Sequence, residues 1–110
     1  MNAATRRRLE AAGWRVGTLA EFLGLSPEEE ALIDMRIALS DTLKRARRRK
    51  RMPQSELARR LGSSQSRVAK IEAGDPGVTL DLLIQALLVA GVSRTQVARV
   101  IAGGKRRDAA

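Results

Sequence analysis

Apolar residues recur at helical spacing between Pro27 and Lys50. Leu32, Met35, Leu39, Leu43 and Ala46 form one stripe, which predicts a single long helix with that stripe turned inward. "SPEE" at its start (Ser26 to Glu29) reads as a capping box with Pro27 at the first helical position. "TLAE" (Thr18 to Glu21) reads as another, with Gly24 closing a short helix between them. The long helix opens on Glu28, Glu29 and Glu30 and closes on Lys44, Arg45 and Arg47 to Arg51, a polarity that suits the helix macrodipole.

Two short amphipathic stretches follow Pro53. The first places Leu57, Ala58 and Leu61 on one face, and the small Ala58 lets a second helix cross closely. Gly62 then stands where a left-handed residue is needed, and Ser63 or Ser64 caps the next helix. At about 100° per residue, Val68 and Ile71 of that helix point inward, with Ser64 near them. Ser66, Ala69, Lys70 and Ala73 point outward, flanked by Gln65 and Arg67, with no acid among them. Thr79 to Gly91 is apolar on most faces and predicts a central buried helix. Ser93 and Gln96 cap a final helix that stops at Gly103 and Gly104, before a basic tail expected to fray. No strand-like alternation and no internal repeat interrupts this pattern, and residues before Thr18 take no assignment. The fold class expected is all-α.

Charge adds a direction. The 110 residues carry 21 Lys and Arg against 12 Asp and Glu, a formal net charge of +9. Such an excess favours a polyanionic partner. Lys44 to Arg51 holds seven basic residues in eight, suited either to phosphates or to a solvated helix end. Trp14 and Phe22 are the only aromatics; they are expected to pack as a small satellite core and give no stacking platform for single-stranded RNA. No residue is His or Cys, so the commonest general base, thiol nucleophile and zinc ligands are missing. No enzyme, cofactor or metal is expected. The start lacks an apolar signal-peptide core and no apolar run approaches a membrane span, so a soluble cytoplasmic protein is expected.

Gln54 to Ile71 resembles the helix-turn-helix of the lambda-repressor/Cro (XRE) type. Ala58, Gly62, Val68 and Ile71 match its small residue, turn glycine and two aliphatics, and "LARRLGSSQSRVAKIEAG" is close to family wording. The resemblance covers about Leu39 to Gly91 and implies a helical bundle binding double-stranded DNA through the major groove. By that resemblance Ser64, Gln65, Ser66, Ala69 and Lys70 would meet base edges. Gln65 is matched to adenine, Lys70 to guanine and the Ala69 methyl to a thymine methyl. Gln54 would bind a phosphate, and Arg47 would pair with Glu72 structurally. Arg67 and, from the basic run abutting the motif, Arg48, Arg49 and Arg51 are expected to grip phosphates as well. Two positions depart from the family: Arg51 stands for a glycine, and Pro53 for the capping threonine. A strained, rebuilt turn and an early helical position for Pro53 are therefore expected.

The wider pattern "W.VG...FLGLSPEEE" with "SSQSRVAKIEAGDP.V.LDLL" is similar to HigA-type antitoxins. That similarity implies a bacterial, homodimeric repressor of its own operon, partnered by an mRNA-cleaving toxin. Residues 1–27 would be an extension for dimer or toxin contact, 28–102 the helical domain with its helix-turn-helix at about 39–91, and 103–110 the tail. Two dimer surfaces are open: Trp14, Val16 and Phe22, or Val97, Val100 and Ile101. The alternative is a protein-interaction module that neutralises a toxin and binds DNA only non-specifically. A membrane-surface role is disfavoured, because no basic helix face opposes bulky aromatic anchors.

Overall fold

A computed structural model describes residues 3–5, 7 and 22–103. The chain falls into two compact units, Met1–Ile37 and Ala38–Ala110. Trp14, Val16, the "TLAE" box and the tail beyond Gly103 lie outside the described residues.

In the first unit Phe22 and Leu23 are helical and Gly24 turns left-handed at φ 70°. The Ser26 capping box closes in both directions. Ser26 Oγ accepts the Glu29 amide at 3.1 Å, and Glu29 Oε1 accepts the Ser26 amide at 2.8 Å. The amide bond holds the Glu29 carboxyl below its ordinary range, and the hydroxyl contact helps. Helix α1 then runs over Pro27–Arg49, with acids in its first turn and arginines in its last. Phe22, expected in a small satellite core, is 83% exposed, and Leu23 is exposed with it; its expected partner Trp14 lies outside the described residues. The apolar stripe of α1 is buried only in its later half. Leu32 is exposed and Met35 half-buried, whereas Leu39 and Leu43 are fully buried and Ala46 nearly so.

The second unit contains the end of α1 and four further helices: α2 (Gln54–Leu61), α3 (Gln65–Glu72), α4 (Leu80–Val89) and α5 (Arg94–Ile101). No strand occurs among the described residues, and the fold is an all-α helix-turn-helix bundle. α2 packs on α3 and on α4, and α4 packs on α5. One core joins them: Leu39, Leu43, Met52, Leu57, Val68, Ile71, Leu83, Leu87, Val92 and Val97, with Ala46, Ala58, Ala86 and Ala90 where backbones approach. Each such Leu removed from water contributes about 1.5–3 kcal/mol.

Thr79 caps α4 by accepting the Leu82 amide, and Ser93 caps α5 by accepting the Gln96 amide, both at 3.1 Å. α4 is not buried all round. Asp81, Gln85 and Leu88 form the one outward strip, while the remaining faces pack against or beside the core, as their apolar character predicts. The proposed dimer patch on α5 also divides. Val97 belongs to the core, Val100 is half-buried, and only Ile101 is exposed.

Candidate nucleic-acid interface

The tight turn between α2 and α3 rests on one backbone requirement. Gly62 adopts φ 71°, ψ 37°, which closes α2 with Ser63 N–H donating back to the Ala58 carbonyl at 2.9 Å. Ser64, not Ser63, is the cap of α3: its backbone is extended and its Oγ accepts the Arg67 amide at 3.2 Å. The same Oγ lies 3.2 Å from Ser66 Oγ, so one hydroxyl donates to the other at the exposed start of α3.

Val68 and Ile71 anchor α3 inward at 0% and 1% exposure. Gln65, Ser66, Arg67, Ala69 and Lys70 are all exposed, as is Ala73. The structure therefore brings the five residues matched to base reading onto one short, acid-free segment with Arg67 beside them. Ser64 is exposed too, although its cap role already engages one lone pair.

Behind this surface is a buried ionic clasp. Arg47, near the end of α1, donates through Nε to Glu72 Oε2 and through Nη2 to Glu72 Oε1 at 2.9 Å. Its Nη1 donates to the Met52 carbonyl at 2.7 Å. Both side chains are nearly inaccessible, so this fork-to-fork pair is shielded from salt. Burial alone would push the Glu72 carboxyl up. Hydrogen bonds from Arg47 and Gln54, with the charges of Arg47 and Lys44, outweigh burial and hold it below its ordinary range.

The basic run divides by what each cation touches. Arg45 pairs with Asp41 one turn earlier at 3.0 Å on the surface, and Arg47 is buried in the clasp. Lys50 Nζ donates to the Ala90 carbonyl at the end of α4 at 2.8 Å. A Cβ at Gly91 would displace that flexible ammonium from its place, and the left-handed φ of 92° there independently favours glycine. Arg48, Arg49 and Arg51 are exposed and make no ion pair among the described residues. These three are the arginines of the run that the sequence assigns to phosphates. Arg59 and Arg60, on α2, are neutralised by Glu56, whose carboxyl their hydrogen bonds hold down at about 2.

The departing turn is strained but not rebuilt. Arg51 takes φ 54°, the only positive φ of a non-glycine among the described residues. Met52 N–H donates to the Arg47 carbonyl at 3.1 Å, the closure a glycine would give. Pro53 sits outside α2 as its N-cap, at φ −70° and ψ 159°, and not inside the first turn. An extended ψ before the first helical residue is what a cap requires.

Gln54 is half-buried, and its Nε2 donates to Glu72 Oε1 at 3.1 Å. Neither this contact nor the Lys50 clamp was read from the sequence. The spacing of Lys50 and Gly91 gives no local signal, and Gln54 was matched to phosphate alone.

No helix among the described residues is long and apolar enough to cross a membrane. Comparison with curated proteins and with solved structures gave no match. A family model described as a helix-turn-helix domain matches residues 38–100, more than half of the chain and nearly all of the second unit's described helices. The chain belongs to the helix-turn-helix domain family.

Proposed function

We propose that the protein is a sequence-specific regulator that lays α3 in the major groove of double-stranded DNA. The observation that carries this is the exposed, acid-free face of α3, fixed from behind by Val68, Ile71 and the Arg47–Glu72 clasp. A short rigid helix that shows Gln65, Ser66, Ala69 and Lys70 offers donors, acceptors and a methyl to base edges. Arg67, Arg48, Arg49 and Arg51, exposed and without an ion pair among the described residues, supply the cations that phosphates need.

One such helix covers few base pairs. A homodimer with two α3 helices about 34 Å apart completes the reading. Repression of its own operon from the bacterial cytoplasm, as the antitoxin of an mRNA-cleaving toxin, is the sharper form, supported by the resemblance to HigA-type antitoxins. In that form residues 1–27 are an extension outside the 28–102 helical domain.

A second reading, toxin neutralisation with only non-specific DNA binding, draws on the first unit. Residues 1–37 hold five basic and six acidic residues, against sixteen and six in 38–110. The nearly neutral unit exposes Phe22, Leu23, Leu32, Ile33 and Ile37, which suits a protein partner.

Fluorescence anisotropy separates the two. Duplex DNA from just upstream of the gene is titrated against scrambled DNA of equal length, across a salt series. A preference of about a thousandfold at physiological salt supports the specific regulator. Equal, steeply salt-sensitive binding to both duplexes supports the second reading.

A further inference from the structure

Gln54 opens α2, and its carboxamide has a fixed orientation. Its Nε2 donates to Glu72 Oε1, the oxygen that also accepts Arg47 Nη2. Only the nitrogen of an amide can face a carboxylate in this way, so the acceptor decides which end of the group points where. One Nε2 proton is engaged, and the second has no acceptor among the described residues. The backbone N–H groups of Gln54 and Ser55 have none either. Pro53 provides no side-chain cap, and its carbonyl accepts from Glu56 and Leu57.

The carboxylate that orients Gln54 is itself neutralised by the buried guanidinium, so it does not repel an approaching anion. The same guanidinium holds the Met52 carbonyl, two residues before Gln54. One buried cation thus secures both the backbone leading to Gln54 and the group that aims its side chain.

We propose that Glu72 is a positioning residue for DNA binding: it turns the Gln54 amide so that an N–H, and not the oxygen, meets a backbone phosphate. This inference rests on the DNA-binding reading and extends it. The buried clasp then contributes to the grip on DNA as well as to the fold.

The test uses the full chain and a duplex of arbitrary sequence, because phosphate contacts carry no sequence information. The slope of log Kobs against log salt is measured for wild type, Gln54→Met, Glu72→Gln and the double variant. All are compared at a temperature where circular dichroism shows each to be folded. Losing one phosphate contact makes the slope shallower by about 0.9. Gln54→Met, which leaves the ion pair intact, and Glu72→Gln are each expected to show that change, and the double variant no more than either. If Glu72→Gln lowers only the melting temperature, or if the two slope changes add, the proposal is overturned.

A measurement without substitution guards against misfolding of Glu72→Gln. In amide spectra of the wild type, one Nε2 proton of Gln54 is expected downfield, and DNA is expected to shift the other. Two Nε2 protons that both ignore DNA would overturn the positioning role. A wild type with no salt-dependent binding to any duplex would instead remove the DNA-binding reading itself.

Discussion

The two turns that flank α2 solve one problem by different means. Both end a helix on a left-handed residue, at φ 54° for Arg51 and φ 71° for Gly62. The Gly62 turn is local: a residue without Cβ, then a serine cap, then the next helix. The Arg51 turn has neither device, since its left-handed residue carries a full side chain and Pro53 offers no capping oxygen. It is held from a distance, by the Arg47 guanidinium on the Met52 carbonyl and by Gln54 on Glu72. A turn can thus be stabilised by its own residues or by a buried charge, and only the second kind connects the turn to the end of α3.

Removing the distant support has the largest expected effect. Arg47→Met keeps most of the packed stem but leaves the Glu72 carboxylate buried with only Gln54 as partner. The expected loss is about 3–5 kcal/mol, read as a lower urea midpoint by circular dichroism. A change below about 1 kcal/mol would mean that the first turn holds itself and that the contrast is false.

The same pair sets an acid limit. Glu72 has a folded pKa below its ordinary value near 4.5, so its contribution is complete above the unfolded pKa. That stability is lost as the pH falls through the depressed folded value. Stability is therefore expected to be flat near neutrality and to drop below about pH 4.5, less steeply in Glu72→Gln than in wild type. Urea midpoints across that range provide the measurement. Part of the drop persists in the variant, because Glu29 and Glu56 are held down as well.

The local turn was legible in the sequence and the distant one only in part. Gly62, Ser64, Val68 and Ile71 lie within ten residues of one another, and each has a conformational or apolar reason that a single chain displays. The Arg47–Glu72 pair was reached through family resemblance, since nothing local couples residues 25 positions apart. Gln54 on Glu72 and Lys50 on Ala90 were missed for the same reason: a long polar side chain can reach in many directions, and tertiary placement decides which. Phe22 failed differently. Its aromatic character suggested burial, yet apolar residues are common on surfaces, and this one is 83% exposed.

Challenging the local turn has a smaller expected effect. Gly62→Ala forces a Cβ into the left-handed region, which costs about 1–2 kcal/mol. Beyond Gly62 and its two chain neighbours no heavy atom lies within 4 Å of that Cβ position, so the cost is conformational. Gly62→Asn, whose side chain tolerates this region, is expected to recover part of the loss in the same urea titration. A loss well beyond this range would show that Gly62 also answers a packing demand.

Arg51→Gly has the smallest effect on stability and the most informative sign. The substitution relieves the left-handed strain and is expected to stabilise the fold by up to about 1 kcal/mol, even as it removes a charge. Arg51 is exposed, makes no ion pair among the described residues, and lines an open cleft with Lys50, Pro53 and Arg60. If its guanidinium grips a phosphate, the stabler variant binds every duplex more weakly, with a salt slope shallower by about 0.9. Gain of stability with loss of affinity would explain the strain at Arg51 as the cost of placing a cation beside the start of α2. Gain of stability with unchanged affinity would leave the arginine without that role, and the first turn would differ from the second only in being less well built.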